Sequence, residues 1–484
     1  MAAKKSLTLI DAILIVSGSM IGSGIFIVSA DMSRTVGSPG WMLFLWILSG
    51  LITVLGALSY GELAGMFPKA GGNYVYLREA YNPLIAFVYG WTLFLVVQCG
   101  TIAAVAVAFA KFSGVLFPAF SEKNILLSLG GFQLTAAQIV GMGSIVFLTW
   151  LNSKGIQFGK IIIRVFSSTK IIALIGIILA GFLMASDPSI WQTNISNLWA
   201  TNVPKTEGEG ISWQSISGIG LLSALGLGLV GSLFSSDAWN NVTFIAGEIE
   251  KPKRNIPLAL FIGTTVVCII YFLANIAYLK LLPFYGNAHG TSVLERGIMF
   301  AENERVGVAA AHMIFGNAAS IIMAVLIMIS TFSCNNGIIL SSSRLFQAMA
   351  VDGLFFKKMK HNNENGVPGF ALWVQCIWST ALCLSGQYGT LLDYVMFAVM
   401  LFYILTISGI IRLRKRQPET ERPYKVIAYP LIPILYIILV SLFCINLLIF
   451  KPMTTYPGIF IMLIGIPVYY FTKKTMSNEP HANH

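Results

Sequence analysis

The chain has 484 residues, of which 56 % are hydrophobic and 11 % charged, with a formal net charge of +11. Soluble domains carry roughly 25 % charged residues, so this composition excludes a water-soluble globular protein and leaves most of the surface to face lipid. Continuous apolar runs such as WMLFLWILSGLITVLGAL and LIPILYIILVSLFCINLLIF also exclude a transmembrane β-barrel, whose strands alternate apolar and polar residues over roughly ten positions.

In chain order the apolar segments predict twelve membrane-spanning helices, at 8–35, 41–66, 84–111, 134–151, 160–184, 215–246, 255–283, 306–350, 369–386, 390–411, 427–450 and 456–472. The first run follows Lys4 and Lys5 without a small-residue cleavage site behind it, and reads as a retained span rather than a signal peptide. An even number of spans puts both termini on one side. That side holds 22 of the 31 Lys and Arg residues, clustered as Lys154, Lys160 and Arg164, as Lys251, Lys253 and Arg254, and from Arg412 to Lys425. The positive-inside rule then places both termini in the cytoplasm. The basic excess is thus topology, and no nucleic-acid partner is implied.

The remaining composition narrows the function. All six cysteines (Cys99, Cys268, Cys334, Cys376, Cys383 and Cys444) lie inside apolar spans without a CxxC pair, so they read as small buried hydrophobes, and neither a disulfide nor a metal site is expected. Gly226, Gly228 and Gly231 form a literal GxGxxG in mid-span without a preceding βαβ strand, which removes its dinucleotide reading. There is no P-loop and no HExxH. The expectation is a carrier rather than an enzyme or an ATP-driven pump, with no cofactor.

Two spans are interrupted. The first carries SMIGSGIF (Ser19–Phe26) and the sixth GSLFSSDAWNN (Gly231–Asn241). Glycine costs ~1 kcal/mol relative to alanine inside a helix, and Ser235, Ser236 and Asp237 are N-cap types that suit a stop and restart. Each interruption opens a set of five spans, the sequence sign of an inverted-repeat transporter. The expected organisation is an all-α integral membrane protein with one repeat over 1–185, a second over 211–412, two further spans over 425–474 and a tail at 475–484. Breaking a helix in mid-membrane frees backbone groups that must line a cavity and find partners. The half-helix starting near Gly22–Gly24 offers N–H groups to a carboxylate. The half-helices ending near Ser19 and Phe234 offer carbonyls to an ammonium group, so the pair suits a zwitterion. Gly18 with Gly22 also fits a small-xxx-small packing pair.

IVSGSMIGSGIF, LSYGELAGMFPKAGGNYVYLREAY, FSSDAWNNVTFIAGEIEKPKRNIPLAL, SCNNGIILSSSRLFQAMAVDGLF and RKRQPETERPYKV resemble the signatures of the L-type amino-acid transporter family, within the amino acid–polyamine–organocation superfamily. The resemblance runs from about Leu7 to Lys474. It implies a five-plus-five inverted-repeat fold of twelve helices and sodium-independent amino-acid exchange across the plasma membrane. By that resemblance Ile21, Gly22, Ser23 and Gly24 bind the substrate carboxylate. Phe234 covers the substrate from outside, and Ser235, Ser236 and Asp237 form the unwound part of the sixth helix. The family often has tyrosine at Ser236 and glycine at Ala238, so this chain departs there. Animal members bond to a single-span glycoprotein through a cysteine after the third span. That loop, KFSGVLFPAFSEKNILLSLGG, has none, which implies a bacterial-type member without a disulfide-linked heavy chain.

Ionisable residues inside spans are costly and functional by default. Lys170 matches the fifth-helix lysine of many relatives, where sodium-coupled members of the superfamily hold a sodium ion. Its expected role is a fixed positive charge touching the freed carbonyls of the first helix and hydroxyls such as Ser333. Its bland alternative is a lysine snorkelling to the cytoplasmic face. Asp237 reads as the N-cap of the restarted sixth helix, or as a partner of the substrate ammonium. Glu62 reads as an interfacial structural carboxylate, and Asp11 as a first-turn acid complementing the helix dipole. The expected activity is exchange of neutral amino acids by alternating access; the alternative is a proton-coupled symporter using Lys170.

Overall fold

A computed structural model describes residues 6–129, 132–185, 187–207, 210–384 and 388–477. Thr8 starts the bundle: its hydroxyl and the Asp11 carboxylate form a reciprocal cap on α1 (Leu9–Met20), which satisfies amides that a helix start leaves free. α2 (Gly24–Val36) continues the same apolar span after a 40° bend at residues 21–23. Gly37 ends it in the left-handed conformation, and Ser38 with Pro39 starts α3 (Pro39–Met66). A short α4 (Asn73–Ala80) precedes α5 (Pro83–Thr92). A π-helical turn at Leu93–Val97 joins α5 to α6 (Gln98–Leu116) within one span.

A two-stranded hairpin, β1 (Ile125–Leu129) and β2 (Phe132–Thr135), leads into α7 (Ala136–Ser153) and α8 (Ile156–Met184). The connector after α8 reads from its sequence as plain polar loop, and here the structure differs. It contains α9 (Pro188–Ser196) and the hairpin β3 (Val203–Glu207) and β4 (Gly210–Gln214). Asn194 on α9 is buried and holds the Leu279 and Leu282 carbonyls and the Phe284 amide at 2.7–2.9 Å. Polar composition therefore hid a fixed cover on that end of the bundle.

The second half follows as α10 (Gly218–Ser235), the single turn α11 (Asn241–Phe244), α12 (Pro252–Leu281), two short outer helices α13 (Val293–Arg296) and α14 (Val306–Phe315), and α15 (Ala319–Val351). α16 (Gly369–Cys383), α17 (Tyr388–Arg416), α18 (Leu431–Phe450) and α19 (Pro452–Ser477) complete the chain. The tail beyond Ser477 lies outside the described residues. Among the described residues ten helices are long and apolar enough to cross a membrane, or eleven with the bent α1–α2 pair counted as one span. The expected twelve would require the shorter apolar helix α16 as well. The fold is an all-α membrane bundle, with its β-structure confined to loop hairpins.

Ion pairs tie one end of the bundle. Glu62, fully buried, accepts from Arg414 Nε and Nη2 at 2.8 and 2.7 Å and from the Val426 amide at 2.8 Å, with Arg422 Nε 3.5 Å away. Glu62 is thus a structural carboxylate, as its position near the end of its span implies. Removing one partner of a buried pair costs roughly 3–5 kcal/mol, whereas an exposed pair contributes ~0–1 kcal/mol. Glu62→Gln is expected to lower the melting temperature of the purified protein by many degrees. Lys253→Ala, which breaks the exposed 2.6 Å pair with Glu421, is expected to leave it unchanged; scanning fluorimetry of both variants checks the contrast.

Candidate substrate site at the two helix breaks

α1 stops at Met20, yet its last carbonyls do not go unsatisfied. Five consecutive carbonyls, Gly18 to Gly22, accept from side chains of other helices. Lys170 Nζ on α8 lies 2.6 Å from Gly18 O, 2.6 Å from Ile21 O and 3.3 Å from Ser330 O. The Cys334 thiol on α15 donates to Ser19 O at 3.0 Å. The Tyr271 hydroxyl on α12 bridges Met20 O at 3.0 Å and Ser235 O at 3.1 Å. Ser330 shares its hydroxyl between Ile21 O at 3.0 Å and Gly22 O at 3.2 Å. The amides of Gly22, Ser23 and Gly24 donate to no acceptor among the described residues. The first break is therefore one-sided: its acceptors are filled and its donors are free.

Lys170 is 3 % exposed, so it does not snorkel, and its partners are backbone carbonyls rather than Ser333. Ser333 instead pairs with Ser167 at 3.0 Å, one turn from Lys170 on the same helix. Gly18 packs on that Ser167 side chain, whose Cβ would lie 3.2 Å from an added methyl group. Gly18 is accordingly a packing glycine. Gly24 has a different neighbour, Ser235 on α10: an added Cβ would come 2.9 Å from Ser235 Cβ and 3.2 Å from its Cα. Gly22 meets only Cys334 Sγ, at 3.6 Å. Neither Gly22 nor Gly24 takes a positive φ, so it is close approach, and not conformation, that asks for glycine at 24. The two breaks touch at Gly24–Ser235 and share Tyr271.

The sixth-span break begins at Ser236, whose amide folds back to Ser232 O and Leu233 O, while the Asp237 amide donates to Phe234 O at 3.1 Å. Ala238 then takes φ +64°, a left-handed conformation costing roughly 1–2 kcal/mol outside glycine. This is the position where the family resemblance expects glycine. The chain resumes only as the single turn α11, with Asn240 at its N-cap position. Asp237 therefore does not cap a restarted helix. Its carboxylate accepts from the Tyr403 hydroxyl on α17 at 2.6 Å. Phe234, half-buried, sits in the last turn of α10 beside buried Ser235 and Ser236.

Next to Asp237 lies a cavity of about 20 Å³, bounded by Tyr89, Gln98, Asn241, Phe244 and Tyr403. That is room for one water. Gln98 donates to Asn241 Oδ1 at 3.0 Å, and the Asn241 amide nitrogen is buried without a partner. Tyr271, Ser330, Cys334, Tyr403 and Asn241 escape sequence reasoning. The first four lie inside apolar runs, and Asn241 ends the second interruption without a sign of its role; only the packing brings them together at the breaks.

Polar contacts tie the chain together toward both ends of the spans that carry the breaks. On one side Arg34, in the last turn of α2, donates to Met299 O at 2.7 Å and to Glu304 at 2.6 Å. On the other, Leu7 pairs with Ile249, the amides of Ser6 and Leu7 donate to Glu248 O, and Glu250 donates to Leu7 O. Asp11 there binds Arg164 through both oxygens, with Lys160 3.2 Å away.

Residues 7–469 match the sequence profile of the family described as Amino acid permease. The chain belongs to that family. Among its relatives, mouse Asc-type amino acid transporter 1 is 31 % identical over 471 residues, covering 97 % of this chain and 81 % of the relative. Mouse large neutral amino acids transporter small subunit 2 is also 31 % identical, over 470 residues with the same coverage. Mouse b(0,+)-type amino acid transporter 1 is 27 % identical over 470 residues, covering 97 % of this chain and 88 % of the relative. The L-type resemblance is thereby upheld across the chain. This permease is a multi-pass membrane protein of a transporter family and not an enzyme.

The close approach at Gly24 gives a test. Forcing a methyl group into a packed contact costs roughly 1–3 kcal/mol. Gly24→Ala is expected to separate the breaks and lower the melting temperature of the permease by several degrees. Gly22→Ala, facing ordinary contact distance, should melt with the wild type. Equal shifts for the two variants would contradict the contact between the breaks.

Proposed function

We propose that this permease exchanges neutral L-amino acids across the plasma membrane by alternating access, independently of sodium. The observation that carries the reading is the buried Lys170 ammonium on the Gly18 and Ile21 carbonyls. A monovalent cation needs a cluster of oxygens of this kind, and here a tethered charge occupies it. A dissociable sodium ion is then unnecessary for holding the first break together.

The substrate carboxylate binds the free amides of Gly22, Ser23 and Gly24, next to Ile21. The carbonyls near Ser19 and Phe234 already accept from Cys334 and from the Asp237 amide, which leaves them less available to the substrate's ammonium group. It falls instead to the second break, at Ser235, Ser236 and Asp237, with Phe234 closing over it. One carboxylate among otherwise neutral groups suits a substrate without a net side-chain charge. The names of the relatives quoted above support amino acids as cargo. The two five-span repeats over 1–185 and 211–412 supply one break each. Ser333 supports Lys170 indirectly, through Ser167.

The distribution of Lys and Arg favours cytoplasmic termini. The hairpin loop between α6 and α7 contains no cysteine, which favours a permease working without a disulfide-bonded partner. A proton-coupled symporter remains the second reading, favoured by the same Lys170: a deprotonated amine would hold the break carbonyls less strongly.

Purified protein in sodium-free proteoliposomes separates the two. Labelled L-alanine, L-serine and L-leucine are expected to enter only vesicles preloaded with unlabelled amino acid, at zero proton gradient. Entry into empty vesicles that rises with an inward proton gradient would establish symport instead. Lys170→Met leaves the Gly18 carbonyl without its side-chain donor, at roughly 1–3 kcal/mol, and the Ile21 carbonyl with Ser330 alone. It is expected to cut exchange to about a tenth or less while sodium fails to restore it.

A further inference from the structure

A second cavity, of about 660 Å³, opens on the flank of the bundle between α5, α16 and α19. Its walls are Phe87, Trp91, Phe94, Leu95, Trp378 and Phe471. Both indole N–H groups are already committed to backbone: Trp91 to Ile461 O at 3.2 Å and Trp378 to Leu95 O at 2.9 Å. The rings therefore present only their apolar faces to the groove, in fixed orientations. Phe87 stacks on Trp91, and Phe94 is held edge-on by Phe346 and Phe355. At one end the lining changes to Lys357, which shares an exposed 3-10 turn with Lys358 and Lys360.

We propose that this groove binds an anionic glycerophospholipid of the surrounding bilayer, with an acyl chain between the tryptophans and the phosphate at the lysine turn. An apolar slot ending in clustered cations matches that amphiphile, since each basic residue near a membrane surface favours anionic headgroups. A second copy of the chain is the weaker occupant. Two-fold docking on this face would bring its own lysine turn against this one.

The groove also has a route to the breaks. Leu95 lies in the π-helical turn Leu93–Val97, which also places Leu93 and Val97, with Gln98 just after it, against the cavity beside Asp237. π-bulges often mark functional positions. A bound chain on Leu95 therefore bears on the wall of the substrate cavity. This coupling rests on the proposed exchange; the lipid site does not.

The test is native mass spectrometry of the full chain in detergent with phosphatidylglycerol or phosphatidylcholine added. The wild type is expected to retain one phosphatidylglycerol roughly fivefold or more in preference to phosphatidylcholine. K357Q/K358Q, altered only at exposed positions, should keep its melting temperature and lose the preference. Leu95→Trp, which narrows the groove where the chain would pass Leu95, should weaken retention of both lipids. Equal retention of the two lipids by the wild type would overturn the proposal, as would wild-type retention by both variants. Binding without any effect of phosphatidylglycerol on exchange in active proteoliposomes would remove the coupling alone. Failure of exchange in every lipid would count against the transport reading and leave the lipid site standing.

Discussion

The arrangement depends on how the first helix break is kept in an apolar slab. A membrane-embedded backbone group without a partner costs several kcal/mol, and unwinding at residues 21–23 exposes several at once. Four side chains on three helices, Lys170 on α8, Tyr271 on α12, and Ser330 and Cys334 on α15, bind the carbonyls from Gly18 to Gly22. The largest contribution is the lysine, because hydrogen bonds from a charged donor are about twice as strong as neutral ones. Burying the ammonium is itself costly, and the carbonyl dipoles offset that cost. Lysine and break thus require each other, and α8, α12 and α15 are fixed against α1 by the same contacts.

The second break is built differently. It has no lysine, and its first amides are satisfied locally by turns onto Ser232, Leu233 and Phe234. Its fixed points are Ala238 in the left-handed conformation and Asp237 on the Tyr403 hydroxyl. Tyr403 lies within an aromatic cluster with Tyr60 and Trp239, whose ring centroids are 5.7 and 5.4 Å from its own. One break is held by charge and the other by packing. Tyr271, bonded to both Met20 and Ser235, makes a shift of one break felt by the other.

Much of this was legible in the sequence, because membrane helices announce themselves by composition. The GSG and SSD interruptions fall where α1 and α10 end, and Lys170 stood out as a charge inside an apolar run. What was not legible has a common cause. Tyr271, Ser330 and Tyr403 act through hydroxyls aimed by helix rotation, and rotation within an all-apolar helix leaves no periodic trace. The same blindness made Asp237 look like a helix cap: its residue type suits a cap, but the chain after it runs through a left-handed turn before any helix resumes. Polar composition misled in the opposite direction at Asn194, where a loop residue proved to be buried and fully bonded.

The unfilled donors bear directly on why such a carrier would exchange rather than leak. Among the described residues the amides of Gly22, Ser23 and Gly24 sit in buried residues without acceptors, and so does the Asn241 side-chain nitrogen. Each buried unsatisfied donor costs roughly 1–3 kcal/mol. On the proposed reading a substrate carboxylate accepts from the break amides, so the loaded carrier closes without that penalty and the empty one bears it. Every 1.4 kcal/mol is about a factor of ten in population or rate. Two or three unfilled amides therefore suffice to make the empty closed state rare by several powers of ten. If passage between the two open faces runs through that closed state, as the proposed alternating access requires, the return of an empty carrier would be slow and counter-transport fast. On that reading, obligatory exchange would follow from leaving hydrogen-bond donors unpaired at one break while every carbonyl beside them has a donor.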